Sequence, residues 1–215
     1  KRCQRSQILQ PLVPKVTHQS PNFYRYDWVD GQLMASEANA LNFTHLLNYL
    51  FDNLWSKTQV NDDIFLDSCE SFYINKTQQR LQQFATSTGI IDQPQLINGR
   101  LVPSVQDMLA SLPHNWWVGQ KGLMHGDLIL DNILQTADGF KLLDWREDFA
   151  GDLEAGDIYY DLAKLRHNLI FNHELVYKNN YSLNLTNTGI KCDILRHHSL
   201  VECERQLQRF IMDHN

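Results

Sequence analysis

The sequence predicts an α+β chain, mostly amphipathic helices with one β-hairpin set among them. Apolar residues recur at helical spacing over several long stretches, as in Leu46, Leu47, Leu50, Leu54 and again in Leu162, Leu165, Leu169. Only one pair of short apolar runs, Ile133-Leu134 and Phe140 to Leu143, flanks a tight-turn signal, Ala137-Asp138-Gly139. Hydrophobic residues at 43% and charged residues at 20% of 215 residues describe one ordinary globular domain with a sizeable core.

Taken in order, residues 1–22 are polar and carry Pro11, Pro14 and Pro21, which reads as irregular structure. Phe23 to Val29 is aromatic and β-branched, a strand turned by Asp30-Gly31. Ser36 reads as the N-cap of a long helix through Leu41 to Trp55. Asp62-Asp63 opens a second helix that closes near Gly89. Pro94 to Pro103 reads as a connection, and Ser104 caps a shorter helix halted by Pro113. After the hairpin, a polar segment over 146–156 leads to a helix from about Asp157 to Val176. The tail over about 193–213 is helical again.

The chemistry concentrates around the hairpin. His125-Gly126-Asp127 is followed by Asn132 after five residues, and the second hairpin strand ends at Asp144-Trp145. A hairpin centred on Asp138 sets Asn132 opposite Asp144, roughly 5 Å apart between α-carbons. Two oxygen ligands at that separation suit one Mg²⁺. Asp127, on the incoming loop, is left free to take a proton from an attacking hydroxyl. Each piece has a plainer meaning alone: a turn, a hairpin, a helix cap. Their joint order and register carry the functional reading.

These residues resemble the aminoglycoside phosphotransferase and choline kinase superfamily, the small-molecule branch of the protein-kinase-like fold. The likeness rests on His125-Gly126-Asp127, on Asn132, on Leu143-Asp144-Trp145, and on Gly156-Asp157-Ile158-Tyr159-Tyr160-Asp161-Leu162-Ala163. It implies ATP as co-substrate, with Asp127 as catalytic base and Asn132 and Asp144 as Mg²⁺ ligands. His125 and Asp161 would be supports of the loop. The segments around Arg146 and Tyr160 are most similar to phosphotransferase-like domains of bacterial surface-polysaccharide gene clusters. Phe23 to Leu33 resembles the strand and hinge joining two kinase lobes, so Asp27, Trp28 and Val29 would lie against the nucleotide. The expected organisation is a remnant of an N-terminal lobe and hinge over 1–35, with a helical C-terminal lobe over 36–215. The family's glycine-rich phosphate cover and strand lysine have no counterpart before Phe23. The N-terminal β lobe is thus expected to be largely absent: the chain is a fragment or belongs to a longer or composite protein that supplies an additional lobe or fused domain, or else it has lost half its nucleotide site.

The segment after Asp144 must border the acceptor. Trp145, Arg146, Asp148 and Glu154 are its candidate contacts, with Arg146 able to hold an anion bidentately. Trp116, Trp117 and Trp145 are a candidate aromatic box for a quaternary ammonium, although core packing is the plainer reading. The net charge of −6 argues against a nucleic-acid binder. The four cysteines lack metal-type spacing and fit a reduced, cytoplasmic setting, and no apolar run reaches the roughly 20 residues of a membrane span. The favoured reading is a kinase for a small hydroxylated metabolite such as an amino alcohol, choline or sugar. The competing one is a non-catalytic kinase-like binding or regulatory module of a larger surface-polysaccharide protein. Metal-dependent phosphoester hydrolysis ranks last.

Overall fold

The first long helix begins at a reciprocal cap. In the computed structural model, which describes residues 1–55, 58, 60–113 and 117–214, the Asn39 side chain accepts from the backbone of Leu41 and Asn42. The Asn42 side chain in turn accepts from Asn39 N. Asn39, rather than Ser36, therefore starts this helix, and Ser36 lies in a separate short turn of helix just before it.

Residues 1–22 are more ordered than their prolines suggest. They form α1 (Arg2–Ile8) and β1 (Val16–Gln19). Strand β1 pairs antiparallel with β2 (Tyr24–Tyr26), the ordered centre of the predicted 23–29 strand. Next come β3 (Gln32–Leu33), α2 (Met34–Glu37) and α3 (Ala40–Asn53). As the sequence indicates, Asp62-Asp63 opens a helix and Gly89 ends it in a left-handed cap. The run comprises α4 (Asp62–Glu70), a π-helical turn at Ser71–Asn75 and α5 (Lys76–Thr88).

Within 94–103 lies a hairpin, β4 (Gln95–Ile97) and β5 (Arg100–Val102), turned by Asn98-Gly99. Ser104 caps α6 (Val105–Ala110) through a bond from Asp107 N. β6 (Lys121–Gly122) precedes the loop from His125 to Asn132, and the central hairpin is β7 (Ile133–Thr136) and β8 (Gly139–Leu142). β9 (Gly156–Asp157) pairs with β6 and feeds α7 (Ile158–Ile170). The helix read as continuous to Val176 is broken at Phe171, where Asn172 caps α8 (His173–Tyr177). The tail opens with a further hairpin, β10 (Tyr181–Thr186) and β11 (Gly189–Ile194), before α9 (His198–Asp213). The single-hairpin expectation is thus corrected: β10, β11, β4 and β5 form a four-stranded sheet. No helix among the described residues is long and apolar enough to cross a membrane.

Two apolar clusters position the site. The larger joins Leu46, Leu47 and Leu50 of α3, Leu162, Leu165 and Leu169 of α7, Leu200 and Leu207 of α9, and Ile133, Phe140 and Leu142 of the hairpin. The smaller joins Phe65, Cys69 and Phe72 to Met124 and Phe149, one on each side of the 125–132 loop and the central hairpin in sequence. β3 lies along β7, so the segment after Tyr26 runs directly onto the central hairpin.

The hairpin register differs from expectation by one residue. Thr136 pairs with Gly139 and Ile133 with Leu142. The positive φ falls on Gly139 (124°), so two residues turn the chain instead of three. Asn132 therefore meets Leu143, whose N–H donates to its carbonyl at 2.8 Å. Asp144 lies one residue beyond, at φ 50°. A one-residue slip alone would send its side chain to the opposite face. Asp144 instead adopts a left-handed backbone, which aspartate tolerates better than most residues, and its carboxylate meets Arg2 Nη1 at 2.8 Å.

Candidate active site

The loop from His125 to Asn132 is held chiefly from below, by one face of α7. Asp161, Lys164 and Asn168 recur at helical spacing along that face. Asp161, fully buried, accepts from His125 N and Gly126 N, each at 2.7 Å, and from Trp55 Nε1 at 3.2 Å. Lys164 Nζ lies 2.7 Å from Asp127 Oδ1. Asn168 accepts from Leu130 N at 3.0 Å and faces Asp131 Oδ2 at 3.4 Å. One helix thus meets the loop near its start, middle and end.

Burial sets the charge states here. It pushes the Asp161 carboxyl up to about 6 against the opposing pull of its N–H donors. It also pushes the fully buried His125 imidazole down to about 4, so this ring is neutral at pH 7. Asp127 N approaches His125 Nδ1 at 3.3 Å, making that nitrogen the acceptor. Gly126 has φ 86°, and a Cβ there would stand 2.6 Å from Arg146 Cβ, so the turn before Asp127 needs glycine twice over.

Asp127 is fixed mainly through its backbone. Its carbonyl accepts from Asn132 Nδ2 at 3.0 Å and from Ile129 N at 3.0 Å. Asn132 Nδ2 also approaches Asp127 Oδ2, at 3.5 Å, a weak contact. The structure therefore brings Asp127 and Asn132 together.

The carboxylates of this region carry cations of the chain itself. Lys164 holds Asp127, Arg2 Nη1 lies 2.8 Å from Asp144 Oδ1, and Lys1 Nζ lies 2.8 Å from Asp148 Oδ2. Helix α1 also buries Arg5, which donates to Met124 O at 2.7 Å just before the loop. Lys164, Asn168 and these α1 contacts are absent from the sequence reading. The three-residue spacing of Asp161 and Lys164 was the available signal for Lys164.

The acceptor candidates divide. Trp145 is fully buried, packed near Tyr24 and Tyr26 with Nε1 donating to Arg2 O at 2.9 Å. It is a core residue and cannot line an acceptor pocket. The aromatic box fails with it: Trp117 packs on the smaller core cluster, and Trp116 lies outside the described residues. Arg146 does border the loop, its N–H donating to His125 O at 3.0 Å and its guanidinium 4.7 Å from the Phe72 ring centre. Asp148 carries Lys1, and Glu154 is exposed. Of the hinge residues, Asp27 and Trp28 are exposed and Val29 half-buried, in the segment between β2 and β3.

A loop aspartate beside an asparagine, a strand-end aspartate and a buried aspartate bracing the loop are the residue types that phosphoryl transfer uses. The model of the phosphotransferase enzyme family, APH, matches residues 62–176, more than half of the chain, and the chain belongs to that family. No curated protein matches the chain.

Proposed function

We propose that this phosphotransferase moves the γ-phosphoryl group of ATP onto a hydroxyl of a small metabolite such as an amino alcohol, choline or a sugar. The supporting observation is a contrast within one loop. His125, Gly126 and Leu130 are tied to buried groups of α7, while the Asp127 side chain between them keeps 36% of its surface open. A base needs that combination of fixed backbone and accessible carboxylate. Asp127 Oδ1 is engaged by Lys164, so Oδ2 is the oxygen that takes the acceptor's proton. Adenine would lie against the backbone of Asp27, Trp28 and Val29.

Mg²⁺ fits the residues present. Among the described residues no group of three or more His, Cys, Asp or Glu is arranged to hold a metal. An amide and a carboxylate completed by phosphate and water oxygens is nevertheless a habitual Mg²⁺ set. Asn132 and Asp144 would supply the protein's two oxygens. Asp144 already binds a positive group, the Arg2 guanidinium, as a stand-in. When bound, the ion would neutralise charge on the phosphate oxygens.

Asp127→Asn tests the base assignment. It keeps the shape, so Mg²⁺-ATP affinity measured by calorimetry should change less than about threefold while turnover falls about 10²–10⁴-fold. Wild-type turnover in this variant, with any hydroxylated acceptor found by screening amines and sugars, would refute it.

A further inference from the structure

Resting on that reading, we infer that Lys164 is a catalytic residue whose ammonium binds the transferred γ-phosphoryl group. Three observations lead there. Its Nζ sits 2.7 Å from the candidate base. An acceptor hydroxyl bonded to Asp127 stands about 2.6–3.2 Å from the carboxylate, with its oxygen about 3–3.5 Å from phosphorus at the point of attack. A cation in contact with that carboxylate is then within reach of an equatorial phosphoryl oxygen by a small swing of its flexible four-carbon stem.

Second, the ion pair is not needed to place Asp127. The backbone of Asp127 is already held through its carbonyl by Asn132 Nδ2 and Ile129 N. The Lys164 side chain is 29% exposed and its partner 36%, a setting in which water screens an ion pair and leaves it little to add to stability. Third, its helix is anchored where the lysine acts. Asp161, one turn earlier on the same face, is buried against the N–H groups of His125 and Gly126, so the helix that carries the lysine also braces the loop that carries the base.

In the reaction the acceptor oxygen forms a bond to γ-phosphorus as the bond to the β,γ-bridging oxygen breaks. The electron pair of the broken bond leaves on ADP. The hydroxyl proton passes to Asp127, and Lys164 keeps its three protons, its ammonium bridging Asp127 Oδ1 and a γ-phosphoryl oxygen once ATP is bound and moving fully onto the phosphoryl oxygens as the carboxylate is neutralised. Positive charge thereby follows the negative charge from base to phosphate.

The test is nucleotide affinity, which does not require the acceptor. ATP and ADP are titrated with Mg²⁺ into the wild-type protein, Lys164→Met, Lys164→Gln and Lys164→Arg, with thermal unfolding to verify folding. Lys164→Met and Lys164→Gln should weaken ATP at least tenfold and ADP less than twofold, because only ATP carries the γ-phosphate. Lys164→Arg should recover most of the ATP affinity. Equal weakening of both nucleotides, or no change in either, would overturn the inference and leave the kinase reading standing. A wild-type protein that binds neither nucleotide would overturn both.

Discussion

The α7 and α1 sides of the candidate site use similar groups to opposite ends. On the α7 side a fully buried carboxylate, Asp161, meets two backbone N–H groups and an indole N–H. On the α1 side, Arg2 and Asp144 meet with side chains 38% and 58% exposed. Water screens the second contact and is excluded from the first. The α7 contacts therefore set the shape of the loop, while the α1 contact is an exchangeable cover on a carboxylate that Mg²⁺ would also seek. Where a charge sits decides whether it is scaffold or exchangeable.

The comparison breaks most visibly at Asp161. Asp161→Ala leaves His125 N–H, Gly126 N–H and Trp55 Nε1–H buried without their acceptor, at about 1–3 kcal/mol for each unsatisfied donor. A loss of at least about 3 kcal/mol should appear as a melting temperature about 10 °C lower. A shift under about 3 °C would mean that the loop is not braced from α7.

His125 gives a pH-dependent version of the same test. Its folded pKa, about 4, lies below the unfolded value near 6.5. Between those values the unfolded chain binds a proton that the folded chain refuses. The stability owed to neutral His125 is therefore present above pH 6.5 and lost as pH falls toward 4. His125→Gln cannot take up that proton. Its stability deficit relative to wild type, measured by urea unfolding, should shrink by about 3 kcal/mol over that span. A deficit independent of pH would show that the imidazole is not held neutral by burial.

The smallest effect belongs to the α1 side. Arg2→Ala should change stability by less than about 1 kcal/mol, with the difference fading in high salt. Mn²⁺ affinity, read by electron paramagnetic resonance, should rise because Asp144 loses its competitor. Weaker Mn²⁺ binding in this variant would mean that Arg2 helps to build the metal site.

Residue patterns revealed the elements whose signals are local. The Asp62-Asp63 start, the Gly89 stop, the Ser104 cap and the central hairpin are all present. Other elements were hidden for physical reasons. Strand β10 is exposed along its whole length, so no buried face imposes an alternating pattern. The Asn98-Gly99 turn signal was available but lay between prolines that suggested a plain connection. The hairpin register turned on whether two or three residues form its loop, which Ala137-Asp138-Gly139 alone does not decide. Within the site, Asp127, Asn132 and Asp161 come together around one loop, whereas Lys164 looks like any solvent-facing helix lysine until the fold sets it against Asp127. Trp145 misled because a tryptophan beside a candidate ligand suggests a pocket, while its ring is needed in the core.

The proposed metal-dependent nucleotide site is tested most directly by calorimetric titration of ATP into the wild-type protein and Asp144→Ala, each with excess Mg²⁺ and again with a chelator. Wild type should bind at least tenfold more tightly with Mg²⁺, and Asp144→Ala should lose that difference while keeping its melting temperature within a few degrees. An Mg²⁺ enhancement that survives the substitution undiminished, or no enhancement in wild type, would contradict a site built from Asn132 and Asp144 beside Asp127.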